Sequence, residues 1–102
     1  MPPYELTHHA EEDLKGIARY TLKQWGRKQS MHYAETLERC FLGISSGTVH
    51  SYRFSQRYCQ VEVVHCQHHY VFFIHSDKKP PVIIAVLHER MDMLVWLRNR
   101  II

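Results

Sequence analysis

The sequence has no long apolar run. The longest, Val82 to Leu87, has six residues, far short of the roughly 20 needed to span a bilayer as a helix. The N-terminus lacks the basic-then-apolar pattern of a secretion signal. Cysteine is scarce, with only Cys40, Cys59 and Cys66. An odd number without a secretion signal argues against a disulfide framework and for a cytoplasmic setting. No dense arginine stripe marks a dedicated DNA binder. The formal net charge is only +3 with the nine histidines counted neutral, and it rises as pH falls through the histidine range. Such mild basicity admits a nucleic-acid or acidic-protein partner without demanding one. Internal repeats and linkers are missing as well.

What remains reads as one globular domain over residues 1–102. A length of 102 residues suits a single core. The apolar fraction of 45% and charged fraction of 23% lie near the globular average, which excludes disorder as the default. Tyr4 to Leu6 is a short strand. Thr7 caps a helix whose first turns carry Glu11, Glu12 and Asp13, favourable at the positive helix end. Apolar positions follow at Ala10, Leu14, Ile17, Ala18, Thr21 and Trp25, a helical spacing, and Gly26 stops it. A second helix runs from Arg27 to Ser45 with the stripe Met31, Ala34, Leu37, Phe41 and Ile44. The very short turn makes the pair an antiparallel hairpin, with Trp25 closing its core.

Ser45 to Ser51 is a loop, and Tyr52 to Tyr58 has no clean period. Gln60 to His65 and Tyr70 to Ile74 are strands joined by a turn at Cys66 to His68, a turn without Asn-Gly chemistry. Val82 to Leu87 is continuous, β-branched and apolar, the pattern of a strand covered on both faces. Met91 to Ile102 is a last helix with its stripe broken by Arg98. The expected class is α+β, in the order β-α-α-β-β-β, with an antiparallel sheet packed on the helix hairpin. Two helices cover one face of such a sheet. The apolar second face is expected to stand open for a partner.

These residues resemble the ParE toxins of the RelE/ParE superfamily of type II toxin–antitoxin systems. The matching pieces are Tyr4-Glu5-Leu6-Thr7, then Ala10, Asp13, Leu14 and Ile17, then Tyr20-Thr21 and Trp25-Gly26. Tyr33, Leu37, His69-Tyr70-Val71-Phe72-Phe73 and Val86-Leu87-His88-Glu89-Arg90-Met91-Asp92 continue the match, the last standing where the family reads Leu-His-x-x-Met-Asp. Ahead of the Tyr70 strand the chain departs: Glu62, His65 and Gln67 stand where the family carries a basic residue, a proline and a glycine. The resemblance implies a RelE/ParE-like fold and a non-enzymatic poison of DNA gyrase that serves plasmid maintenance. It implies neutralisation by a ParD-like antitoxin; the assembly expected is a toxin–antitoxin hetero-oligomer or a homodimer.

For the target, the candidate contacts are Arg57, His88, Arg90, Trp96, Arg98 and Arg100. For the antitoxin they are Tyr70, Phe72, Ile74 and Ile83. The bland alternative is that Asp92 caps the last helix and His88 bonds to backbone. The rival function is a ribosome-dependent mRNA endoribonuclease. RNA cleavage needs a base, an acid and a cation for phosphate charge, and His88 and Arg90 with Glu62 or Arg57 are the groups available. Cys59, His65, Cys66, His68 and His69 cluster in sequence but lack the spacing of a tetrahedral zinc site. No metal and no cofactor is expected.

Overall fold

The computed structural model describes residues 2–58 and 60–101, leaving aside the side chains of Asn99 and Ile101. A short strand β1 (Glu5–Leu6) leads into the helices α1 (His8–Trp25) and α2 (Arg27–Ser46). The Thr7 hydroxyl accepts the Ala10 N–H at 3.1 Å, so the predicted cap is made. Gly26 adopts φ 85° and donates its N–H to Leu22, ending α1 and starting α2 in one residue. A side chain there is strained at that φ, which is why glycine stands at the corner.

Four strands and a helix follow: β2 (Tyr52–Arg53), β3 (Val61–Cys66), β4 (His69–Ile74), β5 (Val82–His88) and α3 (Met93–Ile101). The sheet order is β1-β5-β4-β3-β2. The fold is α+β, as expected, with two differences. The sheet is mixed, because β1 runs parallel to β5. The unplaced Tyr52 segment adds a two-residue edge strand paired to Val63 and Glu62. The β3–β4 turn forms without Asn-Gly, and Gln67 takes φ 57°. Tertiary bonds hold this turn: His68 N–H reaches the Tyr33 hydroxyl at 3.3 Å, and Glu89 N–H reaches the His68 carbonyl at 3.0 Å.

Side-chain alternation splits the core into two layers. Val64, Cys66, Val71, Phe73, Ile83 and Val86 face α1 and α2, against Leu37, Phe41 and Ile44. Val61, Val63, Phe72, Ala85 and Leu87 face the other way. Pairing shifts at Phe72/Phe73, with Phe72 opposite Ala85 and Phe73 opposite Ile83. The extra residue is Ile84, a bulge that puts Ile84 beside Ala85 in the second layer.

That second layer is where the sequence reading fails. It is not open. Leu97 of α3 is fully buried against it, and Phe54, Tyr58, Met91 and Met93 complete the cover. Phe54 meets Phe72 edge-on at 5.3 Å between ring centroids. The cover comes from the aperiodic Tyr52–Tyr58 segment and from a helix whose apolar stripe is interrupted. Trp25 and Met31, expected in the core, are 46% and 55% exposed. The hairpin closes instead on Thr21, whose hydroxyl lies 2.8 Å from that of Ser30. A threonine–serine contact needs less room than an indole, so the helices approach there and leave Trp25 outside.

Candidate functional site

Beyond Leu6, strand β1 no longer covers β5, and the exposed edge must be satisfied by other groups. Three side chains do this. The Thr7 hydroxyl donates to the Ile84 carbonyl at 3.4 Å. The Asp13 carboxylate of α1 accepts the Val86 N–H at 2.9 Å. Arg100 of α3 reaches across the edge, donating to both Asp13 oxygens at 2.5 and 2.9 Å and to the Ile84 carbonyl at 3.3 Å. The Arg100 and Asp13 side chains are 8% and 14% exposed. This fork-to-fork ion pair joins α1, β5 and α3 and fixes the spacing between the two helices.

The spacing creates a groove. A cavity of about 500 Å³ runs along the C-terminal half of β5, lined by Gly16, Ile17 and Tyr20 of α1, by Val86 and His88 of β5, and by Trp96 of α3. Nothing lies within 4 Å of the point where a Gly16 side chain would begin, so the α1 backbone itself faces the groove. Tyr20 and Trp96 are 58% and 46% exposed, and they rim it. The walls are apolar apart from Glu12, Asp13 and the histidines.

At one end stands a cluster of rings. The Tyr33 hydroxyl lies 2.5 Å from His69 Nδ1. That hydroxyl also accepts the His68 N–H at 3.3 Å, so it ties the β3–β4 turn to the His69 ring. His69 and His88 meet edge-on at 5.2 Å between centroids. Burial, then repulsion from His88 and His68, pulls the His69 pKa down to about 4 against weaker support from Glu89 and Asp13. His69 is therefore neutral near pH 7. Burial pushes the Tyr33 phenol up. Outside, the Glu89 carboxylate lies 3.4 Å from His65 Nε2 and 3.6 Å from His68 Nδ1. No group of three His, Cys, Asp or Glu side chains among the described residues is arranged to hold a metal. Cys59 lies outside the described residues.

The residues singled out by sequence fall in different places. His88 and Trp96 share the groove. Arg90 follows on an exposed turn in which its N–H donates to His88 Nδ1 at 3.1 Å. Asp92 caps α3 through the Val95 N–H at 3.4 Å. Arg98 is exposed on α3. Arg57 stacks on Tyr58 at 5.8 Å, beside the start of β3 and so toward the opposite end of the sheet from His88. Arg100 does not stand with them: its guanidinium is paired with Asp13 and its side chain is 8% exposed. Phe72 and Ile83 are corrected too, because both are fully buried, and Ile83 faces the helix hairpin. Tyr70 and Ile74 are half-buried, with Tyr70 stacked on His65 at 4.5 Å. Glu62 is bonded by the Ser51 hydroxyl at 2.8 Å, away from His88.

Tyr20, Gly16 and Asp13 were missed as groove elements. Asp13 left a signal, since a carboxylate among the apolar positions of α1 requires a partner.

The chromosomal ParDE TA system from P. aeruginosa has a chain of the same fold, with a TM-score of 0.69 at 13% identity, covering 83% of this chain and 92% of that one. The family described as "ParE toxin of type II toxin-antitoxin system, parDE" matches residues 4–93. The protein is thus a toxin of the type II toxin–antitoxin class. Toxin ParE of Escherichia coli is 37% identical over 101 residues, 99% of this chain and 98% of that one. Within the class, the chain belongs to the ParE toxin family.

Proposed function

We propose that this toxin inhibits DNA gyrase without catalysing a reaction, in the cytoplasm, and that a ParD-like antitoxin neutralises it. Membership of the ParE family supports the target. The observation that carries the neutralisation is the groove at the end of β5, largely apolar and rimmed by two exposed aromatic rings. Aromatic anchors over an apolar trough are what a protein partner uses. The antitoxin occupies this groove, with Tyr70 and Ile74 as its outlying contacts on the second face. Gyrase is met by the exposed surface of α3 and the preceding turn: Arg90, Trp96 and Arg98, with His88 beneath.

Ribonuclease chemistry is the weaker reading. His88 Nδ1 is engaged by the Arg90 backbone, and Arg57 and Glu62 stand toward the far end of the strands. The groups that RNA cleavage would need do not converge. Cells expressing the toxin separate the readings. Plasmid isolated from them runs as relaxed topoisomers while ribosome-bound mRNA stays intact. Cut mRNA with normal plasmid supercoiling would replace gyrase with the ribosome as target.

A further inference from the structure

Cys40 and Cys66 sit in the seam between α2 and β3, far from the groove and outside the toxin reading above. Both residues are 8% exposed and belong to the same core layer. Cys66 Sγ contacts the Thr36 carbonyl at 4.0 Å, and Thr36 lies one helical turn before Cys40. Interaction with Cys66, together with burial, pushes the Cys40 thiol up, and the same interaction pulls the Cys66 thiol down against burial. A cavity of about 670 Å³ is lined by both cysteines, and also by Thr36, Arg39, His50 and His65. Arg39, His50 and His65 are exposed, so a small polar oxidant enters from solvent.

We propose that Cys40 and Cys66 are an oxidative modification site, a dithiol that hydrogen peroxide converts to an intramolecular disulfide pinning α2 to β3. The Cys66 thiolate attacks one peroxide oxygen. An S–O bond forms, the O–O bond breaks, and hydroxide leaves and takes up a proton as water. The Cys40 sulfur then attacks the Cys66 sulfenic sulfur. The S–S bond forms, the S–O bond breaks, and the hydroxyl leaves with the Cys40 proton as a second water. Two thiols are oxidised and one peroxide is reduced to two waters. A resolving thiol in the same seam favours this over further oxidation, because the second thiol competes for the sulfenic sulfur.

The site closes a loop of chain from α2 through β2 and β3, so the oxidised toxin is the more stable one. The test treats the folded, full-length toxin with hydrogen peroxide and reads intact mass, a non-reducing peptide map and Tm. The Cys59→Ser variant is treated in parallel, so that only the two seam thiols remain. The expected result is loss of two hydrogens per chain, a single Cys40–Cys66 linked peptide in both proteins, and a Tm rise of roughly 5–15 °C. Mass gains of added oxygen, covalent dimers, pairs that include Cys59, an unchanged mass or a lowered Tm would each overturn the proposal. Denatured toxin oxidised in the same way gives mixed pairs, which shows that the fold and not the sequence selects the partner.

Discussion

Arg100 and Asp13 are 87 residues apart in sequence, yet together they fix the distance between α1 and α3. Removing one partner of a buried pair leaves the other charge without compensation, at a cost of about 3–5 kcal/mol. Arg100→Ala is therefore expected to lower the urea midpoint strongly. A loss below about 1 kcal/mol would be the behaviour of an exposed pair and would contradict this role. His69 supplies the pH dependence at the same scale. Its folded pKa of about 4 lies below the ordinary 6.5, so the fold favours neutral imidazole. Its contribution is complete above pH 6.5 and is lost as pH falls from 6.5 toward 4, by roughly 3 kcal/mol in all. The groups facing it are Tyr33, His68, His88, Glu89 and Asp13, and none supplies a charge close enough to reverse the sign. Denaturation followed from pH 7 to pH 4 should show this slope, and His69→Gln should flatten it. An equal slope in the variant would assign it to other groups.

Among the elements, α3 has two jobs on two faces. Its inner face seals the second layer through Leu97, and its outer face shows Leu94, Val95 and Trp96 to solvent. Leu97→Ala opens a cavity and should cost about 2–5 kcal/mol. Trp96→Ala should change stability by less than about 1 kcal/mol while reducing toxicity at least tenfold in a plating assay. Full toxicity in a folded Trp96→Ala toxin would remove this face from the mechanism. Deleting α3 is the poorer experiment, because it uncovers Val61, Phe72 and Leu87. The helices and β3 to β5 were legible in the sequence because their signals are local: a Thr7 cap, a Gly26 stop, period-2 and period-3.6 apolar spacing. The cover of the second face was not. Phe54 and Tyr58 lie in a segment without period, and their partners are set by tertiary contact. Arg98 and Arg100 look alike in sequence, and only the fold separates an exposed cation from a buried one. Likewise His88 and Trp96 could be named from sequence, but the groove they share needs Gly16 and Tyr20 from α1.

For the molecule as a whole, sealing of both sheet faces is why the proposed partner surface lies at the end of the sheet and not on its face. The chain covers its own core, and what it leaves exposed is a trough at the exit of β5 with Tyr20 and Trp96 on its banks. A partner that fills the trough contacts α1, β5 and α3 together, which is how an antitoxin would act on all three at once. The central claim is that the free toxin stops gyrase. Its most direct test is supercoiling of relaxed plasmid by purified gyrase and ATP across a titration of the purified toxin. The expected result is a dose-dependent loss of supercoiled product, with accumulation of gyrase-cleaved DNA. Undiminished supercoiling at every toxin concentration would contradict the account.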